Sequence, residues 1–180
     1  MSNDVLITPL GRVLLKQKKD DLELSILKRQ EELSDMSDGR PEDGFQDSYV
    51  TDAQMDMHLL GQRLQEITYL LAKTNTISIP GQTEWVSIGH QVRLSLHYPS
   101  EEQELLTIVL IPSEELSLVE QHLQEGEIPV SPGSALGEAI YGRKAGAIFS
   151  YDIEEGLVQG RILNIKVWQN AFEGTGIISG

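Results

Sequence analysis

The chain has 180 residues, enough for one ordinary domain or two small units, and hydrophobic residues make up 39% of it, so a buried core can form. It contains no cysteine, which excludes disulfides, thiolate zinc sites and a cysteine nucleophile. The formal net charge of −14 argues against autonomous binding to a nucleic-acid duplex, because phosphates need a cationic surface.

The N-terminal sequence MSNDVLITPLGR lacks a basic stretch followed by an apolar one, so it predicts no secretory signal. No apolar run reaches the length needed to span a bilayer. We therefore expect a soluble, cytoplasmic protein without a membrane partner.

The first part of the chain shows the apolar spacing of helices that pack along a narrow stripe. Thr8 is predicted to cap the first helix and Pro9 to be its first residue. The two stripes consist of Leu15, Leu22, Ile26, Leu33 and Met36, and of Val50, Ala53, Met57, Leu60, Leu64, Ile67 and Leu71. The expected structure of residues 1–75 is an antiparallel coiled-coil hairpin.

The connection between these helices is strongly acidic. Residues 31–56 contain nine acids and one base. Gly39, Pro41 and Gly44 interrupt any helix in this stretch, so a turn is predicted there. The tip of the hairpin would therefore carry concentrated negative charge, which suits a basic protein surface or a metal ion as partner.

From Ile77 onward the pattern changes to short β-rich runs. The predicted strands lie in EWVSIGHQVRLSLHY, ELLTIVLIP, AGAIFSYDI and GRILNIKVW, with turns at YPSEEQ and EEGLVQ. A short helix is predicted at Ser134–Tyr141, closed by Gly142. We expect residues 76–170 to form a small antiparallel sheet with one helix, so that the whole chain is α+β, and the tail 171–180 to have no clear element.

The segment SPGSALGEAIYGRKAGAIFSYDI resembles the S-P-I-A-R-A-L-I-G-K-K-V-G-D segment of bacterial Gre-type transcript cleavage factors. The agreement covers Ser134, Ala139, Gly142, Lys144 and Gly146. WVSIGHQVRLSL and LITPLGRVLLKQKKDDLEL are similar to a strand and to the first helix of the same family. The resemblance extends over about residues 5–168.

The resemblance implies a coiled-coil hairpin followed by an FKBP-like domain that binds RNA polymerase at its secondary channel. It implies that the chain is no enzyme itself and binds no cofactor alone. Acids of the tip would share the polymerase Mg²⁺ and promote hydrolysis of backtracked RNA, so the nascent RNA 3′ end would be an indirect partner. The implied tip acids are Glu42 and Asp43, which would hold the metal, with Asp38 and Asp47 in support. The implied docking residues are Ser134, Leu136, Tyr141, Arg143 and Lys144.

The tip departs from the family pattern D-x-x-E-N-A-E-Y. Anchored on Tyr49, the first acid falls on Glu42, the second falls on Phe45, and Gln46 replaces the asparagine. Asp43 or Asp47 would substitute if the loop is rearranged. Two interpretations stay open, a cleavage factor and an inhibitory Gre homologue that occupies the channel. Phe45 is also a candidate partner contact, because an aromatic residue in an acidic turn has no obvious core to join.

Two other functional classes fit the sequence less well. A prolyl isomerase would need an aromatic-lined pocket, and residues 77–180 contain few aromatics. An assembly protein would dimerise through the coiled coil, whereas a hairpin folded back on itself predicts a monomer.

Overall fold

The computed structural model describes residues 5–37 and 46–172. Its elements are β1 (Val5–Ile7), α1 (Pro9–Ser37), α2 (Gln46–Lys73), β2 (Thr74–Thr76), β3 (His90–His97), β4 (Gln103–Leu110), β5 (Glu127–Val130), α3 (Ala135–Ile140), β6 (Ile148–Ile153) and β7 (Gly156–Val167). Short 3-10 turns cover Ser113–Glu115, Glu120–His122 and Gln169–Phe172. The predicted α+β class is confirmed, since two long helices precede a sheet.

Helix α1 begins where the sequence predicts. The backbone N–H of Gly11 donates to Thr8 Oγ1 at 3.0 Å, so Thr8 satisfies one of the amides that a helix start leaves without a partner. Arg12 N–H donates to the carbonyl of Thr8 at 3.0 Å. Pro9 follows the cap, where its missing N–H removes nothing that the helix needs.

Helices α1 and α2 bury their predicted stripes wherever the structure describes the side chains, which excludes Met36 and Val50. Ala53 of α2 is 4% exposed and Leu15 of α1 is 3% exposed. The half-buried stripe positions are Leu22, Ile26 and Leu33 of α1, and Met57, Leu60, Leu64, Ile67 and Leu71 of α2. Leu24 and Leu27 lie off the stripe and are more than half exposed. The packing is therefore confined to one side of each helix.

The two helices run in opposite directions. Arg29, in the later part of α1, forms an ion pair of 3.0 Å with Asp56, in the earlier part of α2. At the other end, β1 leads into α1 and pairs with β2, which directly follows α2. The predicted antiparallel helical hairpin is confirmed.

The second part of the chain is built on a five-stranded sheet with the order β5-β4-β3-β7-β6. Strand β3 is central and pairs antiparallel with both β4 and β7, and β6 pairs antiparallel with β7. Strand β5 runs parallel to β4, a parallel edge that the expected small antiparallel sheet did not include. The reason is the long connection 111–126, which is long enough to bring the chain back in the same direction.

The core lies on one face of this sheet. Strand β3 alternates buried Val92, Leu94 and Leu96 with residues that face outward. Ile140 of α3 is fully buried in the same cluster. Phe149 of β6 covers Gly160 of β7, where an added Cβ would lie 2.3 Å from the Phe149 ring. The close approach explains why a glycine stands in the middle of β7.

The pairing of β3 with β7 contains one irregularity. Arg93 pairs with Asn164 and the next residue, Leu94, pairs with Ile162, so Leu163 is the extra residue of a bulge. Leu163 and Asn164 are consecutive, and both are exposed. The alternation of β7 therefore changes phase at this point.

Two compact units make up the described chain. The first contains Leu14–Thr74, and the second contains Leu6–Val13 together with the residues from Asn75 onward. The sequence predicts a division into 1–75, 76–170 and 171–180. It does not predict that Leu6–Val13 belongs to the second unit. Residues 173–180 of the expected tail lie outside the described part. Within that part, no helix is both long and apolar enough to cross a membrane.

Candidate functional site

The predicted tip falls mainly between the two described ranges. Asp38, Glu42, Asp43 and Phe45 lie outside the described residues. Asp47 lies in the first turn of α2. The assignment of Glu42 and Asp43 to a Mg²⁺ ion therefore stays a prediction from the sequence.

Ser134 is the structural anchor of the predicted docking segment. It caps α3: its hydroxyl accepts a hydrogen bond of 3.1 Å from Gly137 N–H and donates one of 2.9 Å to the carbonyl of Ser131. A Cβ on Gly137 would lie 1.9 Å from that same carbonyl oxygen. The serine and the glycine together fix how the chain enters α3, as the predicted helix at Ser134–Tyr141 requires.

Leu136 and Tyr141 differ in what they present to solvent. Leu136 is half-buried and packs against the hydrophobic core of the sheet. Tyr141, just after α3, is 50% exposed. Of these two apolar residues of the segment, Tyr141 therefore offers the accessible surface.

The turn after α3 is held against the segment before β3. Gly142 has φ +71°, a left-handed conformation that favours glycine, and its N–H donates to the carbonyl of Val86 at 2.9 Å. Val86 N–H donates in return to the carbonyl of Arg143 at 2.8 Å. The Arg143 side chain donates from Nη1 to the carbonyl of Ile148 at 2.8 Å. This reciprocal bonding fixes the backbone on which Arg143 and Lys144 stand.

Lys144 belongs to a small surface cluster that the sequence analysis missed. Its Nζ lies 2.6 Å from Glu84 Oε1 and 4.1 Å from the centre of the Trp85 ring. Trp85 and Lys144 also form an isolated antiparallel β-bridge. An exposed ion pair contributes about 0–1 kcal/mol and an exposed cation–π contact about 0.5–1 kcal/mol, so the cluster orients Lys144 more than it stabilises the fold. Lys144 lies 60 positions after Glu84, so no local pattern links it to Glu84 and Trp85.

A second group missed by the sequence analysis centres on Glu115, which is fully buried. Its carboxylate accepts hydrogen bonds from the backbone N–H and the hydroxyl of Thr8. A Cβ on Gly11 would lie 2.1 Å from Glu115 Cδ. Burial raises the pKa of Glu115 to about 7, against the opposing effect of the two hydrogen bonds from Thr8. In the sequence Glu115 is simply one of two adjacent acids. Gly11, in the first turns of α1, is the one residue whose type indicates that another group packs closely there.

The described residues contain no group of three or more histidine, aspartate or glutamate side chains placed to hold a metal ion. The exposed cluster at Lys144 offers a cation and the aromatic face of Trp85, and Tyr141, three residues earlier in the chain, is also exposed. Such a surface suits recognition of another macromolecule.

No family model and no curated protein matches the chain. Among solved structures it is similar to the transcription factor Gfh1, with 21% identity, 92% of this chain and 99% of that chain covered, and a TM-score of 0.40. It is similar to GreA factor homolog 1 of Thermus thermophilus with 20% identity, coverage of 91% and 99%, and a TM-score of 0.40. The transcription elongation factor GreA/GreB from Nitrosomonas europaea shares 20% identity, with 57% of this chain and 78% of that chain covered and a TM-score of 0.30.

These structures come from the group of proteins that the motif ending at Gly146 resembles.

Proposed function

We propose that this chain is a Gre-like factor that binds RNA polymerase at its secondary channel and promotes cleavage of backtracked RNA through acids at the tip of its helical hairpin. The observation that supports this most is a combination within one chain. A two-helix hairpin with an acid-rich connection is joined to a sheet unit whose segment 131–146 resembles a polymerase-binding motif. Each feature alone is common in proteins, whereas the combination is what a Gre-like factor needs.

The hairpin has dimensions that suit insertion into a channel. Helix α1 has 29 residues and α2 has 28, so each is about 42 Å long at about 1.5 Å per residue. Two antiparallel helices form a rod about two helix diameters wide. Acids at the connection between them would be delivered about 40 Å from the other end of the rod.

The tip acids suit the chemistry of a phosphodiester site. Mg²⁺ prefers oxygen ligands and is commonly held by one or two carboxylates. In the complex, Glu42 and Asp43 would hold the shared metal, and Asp38 and Asp47 would add negative potential around it. When bound, such a metal activates water and stabilises the leaving oxygen. The role of this chain would be to position carboxylates that polymerase alone does not supply.

The docking surface would be formed by the turn after α3. Tyr141 supplies exposed aromatic surface, and Arg143 and Lys144 supply positive charge on a backbone held by Val86. Ser134 and Leu136 would act by building this turn, since one caps α3 and the other packs on the core. Tyrosine and arginine are enriched in protein interfaces and among the residues that carry most of the binding energy.

An inhibitory Gre-like factor is the second candidate. It is favoured by one observation, that Phe45 stands where the family pattern has its second acid. With one acid in register, the tip would reach the metal without completing the set of carboxylates that orients water. The factor would then occupy the channel and slow nucleotide addition.

Incubation with a backtracked elongation complex, following RNA length and polymerase binding, tests the proposal. Shortened RNA supports the cleavage factor, and slower nucleotide addition without shortening supports the inhibitor. Absence of binding to polymerase would exclude both. A chain with Tyr141→Ala is the matched control, because it retains the tip and lacks the exposed ring of the docking turn.

We also infer that the protein works as a monomer, since α1 and α2 of one chain already pack on each other through their apolar stripes and Arg29–Asp56. Sedimentation at several concentrations tests this. A mass that doubles with concentration would favour the assembly protein instead.

A further inference from the structure

The outer face of the five-stranded sheet, opposite the core, concentrates positive charge. Residues 77–180 contain five lysines and arginines in all. Three of them, Arg93, Arg161 and Lys166, lie at outward positions of β3 and β7 and are exposed. In a chain of net charge −14, this grouping on two adjacent strands is a local reversal of sign.

Two of these cations border a depression of about 180 Å³. It is lined by Gln91, Arg93, Thr107, Asn164 and Lys166. The register explains the grouping: Arg93 lies opposite Thr107 of β4 and Asn164 of β7, and Gln91 lies opposite Lys166. Side chains directly opposite on one face have Cβ atoms about 5 Å apart, so residues from three strands converge here.

The bulge in β7 contributes to this convergence. Because Leu163 is the extra residue, Asn164 and Lys166 return to the outward face next to Arg93 and Gln91. Bulges re-aim side chains and are enriched beside functional sites. The irregularity thus falls at the edge of the depression.

The lining is rich in hydrogen-bond donors. Arg93 and Lys166 are cations, Asn164 and Gln91 carry amide N–H groups, and Thr107 carries a hydroxyl. Among the residues that the structure describes, neither Arg93 nor Lys166 takes part in an ion pair. Two cations on one face repel each other, so an anion between them would be stabilised.

An acid that borders the depression already has hydrogen-bond partners. Glu127 lies opposite Thr107 on β5 and is 9% exposed. Its carboxylate accepts hydrogen bonds from Gln91 Nε2 and, at 2.8 Å, from Gln124 N–H. The Gln91 amide group has two N–H donors, so one remains after the bond to Glu127. Glu127 therefore fixes the orientation of Gln91 beside the depression.

We propose that this depression binds a phosphate group, either as inorganic phosphate or as part of a small phosphorylated molecule such as a nucleotide. A tetrahedral dianion offers several acceptor oxygens and can use the Arg93 fork, the Lys166 ammonium and the neutral donors at once. A carboxylate has one charge and two oxygens, which leaves part of this donor set unused. The site is independent of the hairpin tip and of the turn after α3.

Titration of the full chain with inorganic phosphate, followed through backbone amide NMR shifts at constant ionic strength, tests the site. We expect saturable shifts centred on Arg93, Thr107 and Asn164. A parallel titration with adenosine 5′-monophosphate distinguishes the two sources: tighter binding than inorganic phosphate identifies a phosphorylated molecule, and equal binding identifies the phosphate alone. Shifts that do not saturate with either probe would overturn the proposal.

Variants distinguish a specific phosphate site from a general electrostatic attraction of anions to this face. Arg93→Gln combined with Lys166→Gln should weaken phosphate binding about tenfold or more, because both charge-assisted contacts are lost. Arg161→Gln is the matched control, since it removes one charge from the same face outside the depression, and it should change binding less than twofold. Equal weakening by Arg161→Gln and by Lys166→Gln alone would show that only the general field attracts the anion and would refute the site. The single variant Lys166→Gln, at an exposed position, serves if the double variant does not fold.

Discussion

The backbone N–H and the hydroxyl of Thr8 both donate hydrogen bonds to the carboxylate of Glu115, which lies 107 residues later in the chain. Both residues are fully buried. The same hydroxyl accepts from Gly11 N–H and so also caps α1. One threonine therefore connects the start of a helix to a buried acid, and each of the three residues restricts the other two.

Glu115 should make the stability of the protein depend on pH. Its pKa of about 7 in the folded state lies above its ordinary value of 4.5, so the folded chain holds this proton more tightly than the unfolded chain. The resulting stabilisation is full below pH 4.5 and is lost as the pH rises through 7. Glu115→Gln removes this pH dependence. As the pH rises from 5 to 8, the unfolding free energy of the variant should therefore increase by roughly 2–3 kcal/mol relative to that of wild type. Urea unfolding of both proteins at the two pH values measures this.

The exposed neighbour provides the control for this effect. Repulsion by Glu114 is the smallest of the causes that shift the pKa of Glu115, so Glu114→Gln should reduce the pH dependence of the unfolding free energy only slightly, whereas Glu115→Gln should remove it. Parallel pH profiles for wild type and Glu115→Gln would show that the carboxyl ionises without a folding penalty.

Gly11→Ala and Gly61→Ala should have opposite effects on stability. An added Cβ at Gly11 would lie 2.1 Å from Glu115 Cδ, so we expect a loss of about 2 kcal/mol. Gly61 is inside α2 and an added Cβ there meets nothing within 4 Å, so alanine should gain about 1 kcal/mol from helix propensity. Thermal unfolding checks both. If the two variants were equally stable, the tight packing of Gly11 against Glu115 would be wrong.

Tyr141→Ala should weaken binding to RNA polymerase about tenfold or more, because exposed aromatic residues dominate many interfaces. Tyr141 is a better probe than Leu136, since Leu136 packs on the core and its loss would also affect folding. Leu157→Ala removes a side chain that is 48% exposed on β7, a similar exposure, and serves as control. The affinity of each folded variant for RNA polymerase tests this prediction. Equal affinity of Tyr141→Ala and wild type would show that the turn after α3 is not part of the interface.

Neutralising the tip should separate activity from binding. We expect Glu42→Gln with Asp43→Asn to bind polymerase normally and to lower RNA cleavage about 100-fold or more, because the lost carboxylates act mainly in the transition state. For an inhibitor, the same change should restore the rate of nucleotide addition. Asp52→Asn, at an exposed position of α2, is the control and should retain wild-type behaviour. If the tip variant changes neither the rate of RNA cleavage nor the rate of nucleotide addition, the acids belong only to a solvated turn.

The hairpin was predictable because its signal is local. The apolar spacing that defines the stripe of α2, from Ala53 to Leu71, repeats every three or four residues and needs no knowledge of the partner helix. The start of α1 was equally predictable, because Thr8 and Pro9 act on amides within the next turn.

The sheet edge was not predictable on the same grounds. Strand β5 has four residues including Pro129, and it is a strand only because β4 lies beside it. The same holds for Val5–Ile7, whose three residues pair with Thr74–Thr76. Strands of this length take their structure from distant partners, which a pattern along the chain does not contain.

The surface residues divide in a similar way. Ser134 could be read as a helix cap from its neighbours, whereas the contact of Lys144 with Glu84 and Trp85 depends on the fold. Glu115 is the extreme case, since an acid beside another acid in a polar segment is usually exposed.

The position of β3 has a consequence for the order in which the molecule assembles. This central strand is complete at His97, but one of its two edges is filled by β7, which ends at Val167. The hairpin needs only residues up to Lys73, so during synthesis its helices can pair while the edge of β3 still has no neighbour. Pairing between such distant segments is slow, and an open strand edge invites pairing with other chains. The interval between the synthesis of residues 97 and 167 is therefore the period in which a nascent chain of this protein is most exposed to aggregation.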